Sequence, residues 1–132
     1  SIEMFTRANA VPLYRDQSKT YMSRGLCELA ADRRAEAERS FARSYELDAA
    51  NPVSGYNLAN LLFLRGDFQR AQFYIRRLNN SELANAETLW LGIKVERKLG
   101  NLEAERQLTT QLRRRYPQSR EVSSLDRGAF DE

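Results

Sequence analysis

Apolar residues fall three and four places apart along most of the chain, with polar residues between them. Leu58, Leu61 and Leu62 mark one such stretch, and Phe68, Ala71, Ile75 and Leu78 mark the next. This spacing gathers each set on one face of an α-helix. Short polar breaks separate the stretches at Ala31-Asp32-Arg33, Gly66-Asp67 and Gly100-Asn101. Gly66 and Gly100 suit the place just after a last helical turn, where φ is often positive. Asn51-Pro52 suits a helix start, with Asn as cap and Pro in the first turn. Pro117 stops a helix, and Ser119 can cap a short final one over residues 120–126. At the other end, residues 1–11 predict a helix with Ile2, Phe5 and Ala8 on one face. Residues 12–17, opening with Pro12, predict a connection, and the tail from Gly128 is expected to fray.

The breaks recur every 34 residues: Asp32, Gly66, Gly100. Three units follow, 18–51, 52–85 and 86–119, flanked by 1–17 as the end of a truncated unit and 120–132 as a capping helix and tail. A 34-residue helix-turn-helix unit is the period of the tetratricopeptide repeat. The family's small and apolar positions are matched by Gly25, Ala37 and Phe41 in the first unit and by Ala59, Ala71 and Ile75 in the second. The third is least faithful, with Gly92 one place early and Glu105 where Ala is usual. Small side chains let paired helices nest closely. The expected fold is therefore all-α, a single tetratricopeptide superhelix of antiparallel helix pairs.

Composition narrows the chemistry. The chain of 132 residues has no His and one cysteine, Cys27, so an intrachain disulfide is impossible. The commonest general base and metal ligand are absent, and no Gly-rich phosphate cradle occurs. No enzyme, cofactor or metal site is expected, and Cys27 reads as a small buried residue. Lys and Arg number 21 against 18 Asp and Glu, and the signs are interspersed. The densest basic cluster, Arg113-Arg114-Arg115, ends a predicted helix, where cations complement the dipole. Nucleic acid is not an expected partner.

The string Leu89-Trp90-Leu91-Gly92-Ile93, then Leu99-Gly100-Asn101, then Gln111-Leu112-Arg113-Arg114 and Tyr116-Pro117-Gln118-Ser119, resembles the C-terminal part of the type IV pilus pilotins. Tyr21 to Gly25, Ala37 to Phe41 and Asn60-Leu61-Leu62 fit the same family's order. These are tetratricopeptide outer-membrane lipoproteins. The resemblance implies a protein on the periplasmic face of the outer membrane that helps the pilus secretin reach that membrane and multimerise. It also implies a lipidated N-terminal Cys and further repeats, which this chain is expected to lack. Cys27 lies inside a predicted helix and cannot serve as that anchor. Two other readings stay open: a cytoplasmic tetratricopeptide adaptor or co-chaperone, and a regulatory repeat segment of a larger protein.

Stacked helix pairs line a concave groove with their first helices. The family's groove positions fall here on Met22, Leu26, Tyr56, Asn60, Phe63, Trp90, Lys94 and Arg97, apolar at one end and cationic at the other. Tyr56 and Trp90 are the aromatic anchors of such a site. Met22, Leu26 and Phe63 fit a core equally, because a one-residue register error swaps the faces. Trp90 sits in an apolar run and fits packing as well, and Lys94 and Arg97 fit a solvated face. Asn57 and Asn60 are similar to the asparagines that clamp a C-terminal carboxylate in chaperone-binding members of the repeat family. That clamp needs Lys where Met22 stands.

Overall fold

In the computed structural model, residues 2–131 are described, with side chains from Pro12 onward. Among them there are seven helices: α1 (Ile2–Ala30), α2 (Arg34–Leu47), α3 (Pro52–Leu64), α4 (Phe68–Asn79), α5 (Ala86–Leu99), α6 (Leu102–Arg115) and α7 (Arg120–Asp126). The chain divides into two compact bodies, residues 1–61 and 62–132. Repeats touch only their neighbours, so contacts gather locally.

The 34-residue stride is written into the backbone. Asp32, Gly66 and Gly100 all have positive φ, at 59°, 88° and 76°. The residue after each bonds back five places: Arg33 N to Glu28 O at 2.8 Å, Asp67 N to Leu62 O at 2.9 Å, and Asn101 N to Glu96 O at 3.0 Å. Asp32, Gly66 and Gly100 each bond back three places. This is the Schellman closure, which satisfies the last carbonyls of a helix. Asp32 reaches the left-handed region without being glycine, as short polar residues can.

The starts are capped as well. Asn51 Oδ1 accepts from Val53 N and Ser54 N ahead of α3. Asp67 caps α4, a reciprocal Asn85–Thr88 capping box opens α5, and Ser119 caps α7.

One expectation failed at the N-terminal end. Residues 12–17 are not a connection: α1 runs through them with Pro12 inside the helix. A helix-interior proline costs about 3 kcal/mol, which disfavours helix locally without forbidding it. No glycine follows Pro12 before Gly25, and Thr20 Oγ1 bonds back to Asp16 O at 3.0 Å. The face expected from Ile2, Phe5 and Ala8 lies outside the described side chains.

In the N-terminal body, α1 packs on α2 through small residues. Ser18 Oγ donates to Ser44 O at 2.9 Å, and Ser44 Oγ donates to Ser18 O at 2.7 Å, so each hydroxyl bonds the facing backbone. Ser54 Oγ lies 2.5 Å from Ser44 Oγ and ties in α3. All three serines are buried, and the chain of hydroxyls leaves each with a partner, as burial demands. Further along, Gly25 faces the Phe41 ring. A Cβ built there would lie 2.8 Å from Phe41 Cε1 and 2.9 Å from both Cδ1 and Cζ. Helix propensity alone would make Gly25→Ala stabilising by roughly 0.5–1 kcal/mol. Phe41 is fully buried and cannot yield, so the expected outcome is the opposite sign, a loss of about 1–3 kcal/mol. Urea unfolding of Gly25→Ala, and of Gly25→Ala with Phe41→Leu, measures this: the second change should recover most of the loss.

In the C-terminal body, α5 is buried on every side from Thr88 to Glu96. It packs against α4, α6 and α7. Such a helix has no polar stripe. Gly92 does the close-packing work expected one place later, since a Cβ there would lie 2.7 Å from Asn79 Nδ2 and 3.1 Å from Leu108 Cδ1. Ile93 instead joins Leu89, Trp90, Leu112 and Val122 in the core under α7. A bulky residue belongs there, because only a seven-residue helix covers that end.

A candidate protein-binding surface

The eight groove positions divide between the two bodies. In the N-terminal body, Met22, Tyr56 and Asn60 are half-buried, and Leu26 is 41% exposed. Val53, three places before Tyr56, is also exposed. Asn51 Nδ2 reaches Met22 Sδ at 3.5 Å. Asn57 donates to Val53 O at 2.8 Å within its own helix, which commits one of its two amide hydrogens. Cys27, expected inside, is exposed. It lines an open cleft between α1 and α2 with Glu36, Arg39 and Ser40, where polar side chains leave it accessible.

In the C-terminal body the positions are more enclosed. Phe63 is half-buried and its ring lies 5.5 Å from that of Phe68. Trp90 is 8% exposed, so it packs in the core and is not an open anchor. Lys94 is also buried, and its ammonium lies 5.4 Å from the Phe63 ring centre and 5.5 Å from that of Trp90. Cations are attracted to aromatic faces at this range. Burial pushes the Lys94 pKa down, since it disfavours the charged form. Arg97 is exposed and pairs with Glu105 at 3.1 Å. The expected solvated face therefore holds for Arg97 and fails for Lys94.

The tail is not frayed over its described residues. Gly128 has φ 68°, and the bonds Gly128 N to Leu125 O and Ala129 N to Ser124 O close a Schellman turn after α7. The turn returns Phe130 to α5, where its ring lies 5.5 Å from that of Trp90. The Arg97 guanidinium sits 4.0 Å from the Phe130 ring centre.

The basic cluster at the end of α6 has intramolecular uses. Arg113 pairs with Asp126 at 2.8 Å, and Arg115 lies against Tyr116.

Sequence reasoning missed a buried carboxylate. Glu96 is 1% exposed. It accepts from Arg76 Nε at 2.7 Å and Nη2 at 3.1 Å, from Gln72 Nε2 at 2.8 Å and from Asn101 Nδ2 at 3.0 Å. Burial raises its pKa, but the hydrogen bonds from Arg76, Asn101 and Gln72 outweigh that and hold it below the usual value. The signal available was position: Glu96 is seven residues beyond Leu89 and so on the same helical face. Glu28 stands at the equivalent place in the first repeat and accepts from Ser40. Beside Glu96, a cleft of about 300 Å³ opens between α4, α5 and α6, lined by Ile75, Asn79, Gly92 and Leu108 among others. Among the described residues no group of three or more His, Cys, Asp or Glu side chains is placed to hold a metal.

The chain is similar to the type IV pilus assembly protein PilF of Pseudomonas aeruginosa, 28% identical over 113 residues, which is 86% of this chain and 45% of PilF. The structure solved for the functional characterization of P. aeruginosa pilF superposes with a TM-score of 0.78 at 26% identity, over 89% of this chain and 53% of that one. The chain is a homologue of PilF and PilW. The crystal structure of PilW, a widely conserved type IV pilus biogenesis factor, gives a TM-score of 0.72 at 27% identity, over 92% of this chain and 56% of PilW. No family model matches. The chain thus spans about half the length of PilF and of PilW. What it shares with them is the tetratricopeptide fold, here three helix pairs with a 34-residue stride.

Proposed function

We propose that this protein is a non-catalytic tetratricopeptide scaffold of type IV pilus biogenesis, a pilotin-like factor that assists the pilus secretin in reaching the outer membrane and multimerising. The likeness to PilF, a TM-score of 0.78 over 89% of the chain, carries the reading. Apolar side chains left open on α1 and α3 support it: Leu26, Val53 and Leu64 are 41%, 38% and 51% exposed. Exposed apolar groups on repeat scaffolds are where partners bury their own anchors. In this reading the protein works at the periplasmic face of the outer membrane. The resemblance to the pilotins supplies a lipid anchor as the means of attachment; among the described residues no helix is long and apolar enough to cross a membrane.

A pull-down from detergent-solubilised membranes with the full chain as bait tests this. Recovery of the secretin is the expected result, and recovery of a cytosolic chaperone in its place would overturn it. A Leu26→Asp, Tyr56→Ala variant should keep its circular dichroism and lose at least about tenfold in secretin capture, as truncated hot spots do.

A further inference from the structure

We propose that the α5 surface formed by Trp90, Arg97 and Lys98 is a receptor for an aromatic residue followed by a carboxylate in a partner chain, and that Phe130-Asp131 of this chain occupies it until such a segment displaces them. The proposal deepens the protein-binding reading above and rests on it for the existence of a partner.

The chain's own segment shows the chemistry this surface accepts. The Phe130 ring is held between the Trp90 indole, 5.5 Å away, and the Arg97 guanidinium, 4.0 Å away. One residue on, an Asp131 carboxylate oxygen reaches Lys98 Nζ at 3.6 Å. An aromatic ring is recognised by indole and guanidinium faces, and the acid after it by an ammonium. Arg97 and Lys98, both exposed, make this end of α5 cationic, complementary to an acidic segment.

The occupant is built to leave. Only one glycine turn, at Gly128, brings it back to α5. Asp131 is 93% exposed and Lys98 44%, and ion pairs in that setting hold little. Phe130 is half-buried, covering a core that α7 already closes. Tethering gives the segment a high effective concentration. A partner of the same chemistry therefore competes against it, and its apparent affinity falls by the fraction of receptors left open.

The test uses purified full chain and a fluorescein-labelled peptide carrying the sequence of residues 127–132. Anisotropy should show weak binding to the wild type. It should be about tenfold tighter to Phe130→Ala, where the tethered ring is gone, and severalfold tighter to Asp131→Lys, whose exposed change leaves the core intact. Adding Arg97→Glu to either variant should abolish the gain. Equal affinity for wild type and Asp131→Lys would overturn the proposal, as would binding indifferent to Arg97→Glu. So would a concentration-dependent dimer lost in Phe130→Ala, which would make a second copy of the chain the occupant. No pilus component enters this assay, so failure to capture a secretin and failure here are separate results.

Discussion

Trp90→Ala should lower the stability of the C-terminal body by about 3–5 kcal/mol, the range for removing a buried large aromatic. The indole is 8% exposed and packs with Leu89, Ile93, Leu112 and Val122, residues of α5, α6 and α7. It also lines one side of the Lys94 ammonium and carries Phe130. Truncation would leave a cavity reached from three helices, with a buried cation losing one of its aromatic faces. Trp90 is the only tryptophan, so the variant has to be followed by far-ultraviolet circular dichroism in urea rather than by fluorescence. Tyr56→Ala on α3 is the contrast, since Tyr56 is only half-buried and its removal should cost clearly less. A Trp90→Ala loss below about 1 kcal/mol would put the indole on open surface and restore it as a groove anchor.

How much of this was legible depended on whether the signal was local. The turns were: Gly66 and Gly100 fixed the stride, and simple subtraction found Asp32, whose side chain alone would not have revealed a left-handed residue. Asn51 and Ser119 declared their helix starts, because a cap bonds within three residues of itself. Burial on α5 was not local. Its positions rotate about 100° each, and a helix enclosed all round gives no polar stripe by which to set the face. Trp90 packs with Val122 of α7 and with Phe130, and Lys94 lies buried against the Phe63 and Trp90 rings. The return of the tail depends on one glycine and on a ring forty residues from its indole partner (Trp90 to Phe130), a contact that no short-range period encodes. Pro12 misled in the other direction. Its missing N–H argues for a break, yet a single unfavourable residue does not end a helix of 29 residues. At the candidate site Leu26 and Arg97 are exposed, and the neighbours of each are set by packing between helices, which no short-range period encodes.

Arg76→Ala should cost about 3 kcal/mol at pH 7, the low end of the 3–5 kcal/mol for breaking a buried ion pair, because Gln72 and Asn101 still donate to the carboxylate. The pair is lopsided: Glu96 is 1% exposed and Arg76 50%. Losing Arg76 gives up little of its own burial and strands the Glu96 charge. In the wild type the folded-state pKa of Glu96 lies below its ordinary value. A depressed carboxyl contributes stability that is present above the unfolded value of about 4.3 and is lost as pH falls through the folded one. In Arg76→Ala the hydrogen bond and charge of Arg76 no longer hold that pKa down while burial still raises it, so it moves up from its wild-type position. The variant then gains relative to wild type as pH falls and the buried carboxylate takes up a proton. The gap between the two proteins should be widest at neutral pH and narrow toward pH 4.5. Adding Glu96→Gln should recover much of the neutral-pH loss and remove the pH dependence, because the amide carries no charge to strand. Urea titrations of the three proteins at both pH values decide it, and an equal loss at each pH would show that Arg76 acts by packing alone. The consequence for binding follows from the network's place: it ties α4, α5 and the start of α6, the scaffold on which Arg97 and Lys98 are presented.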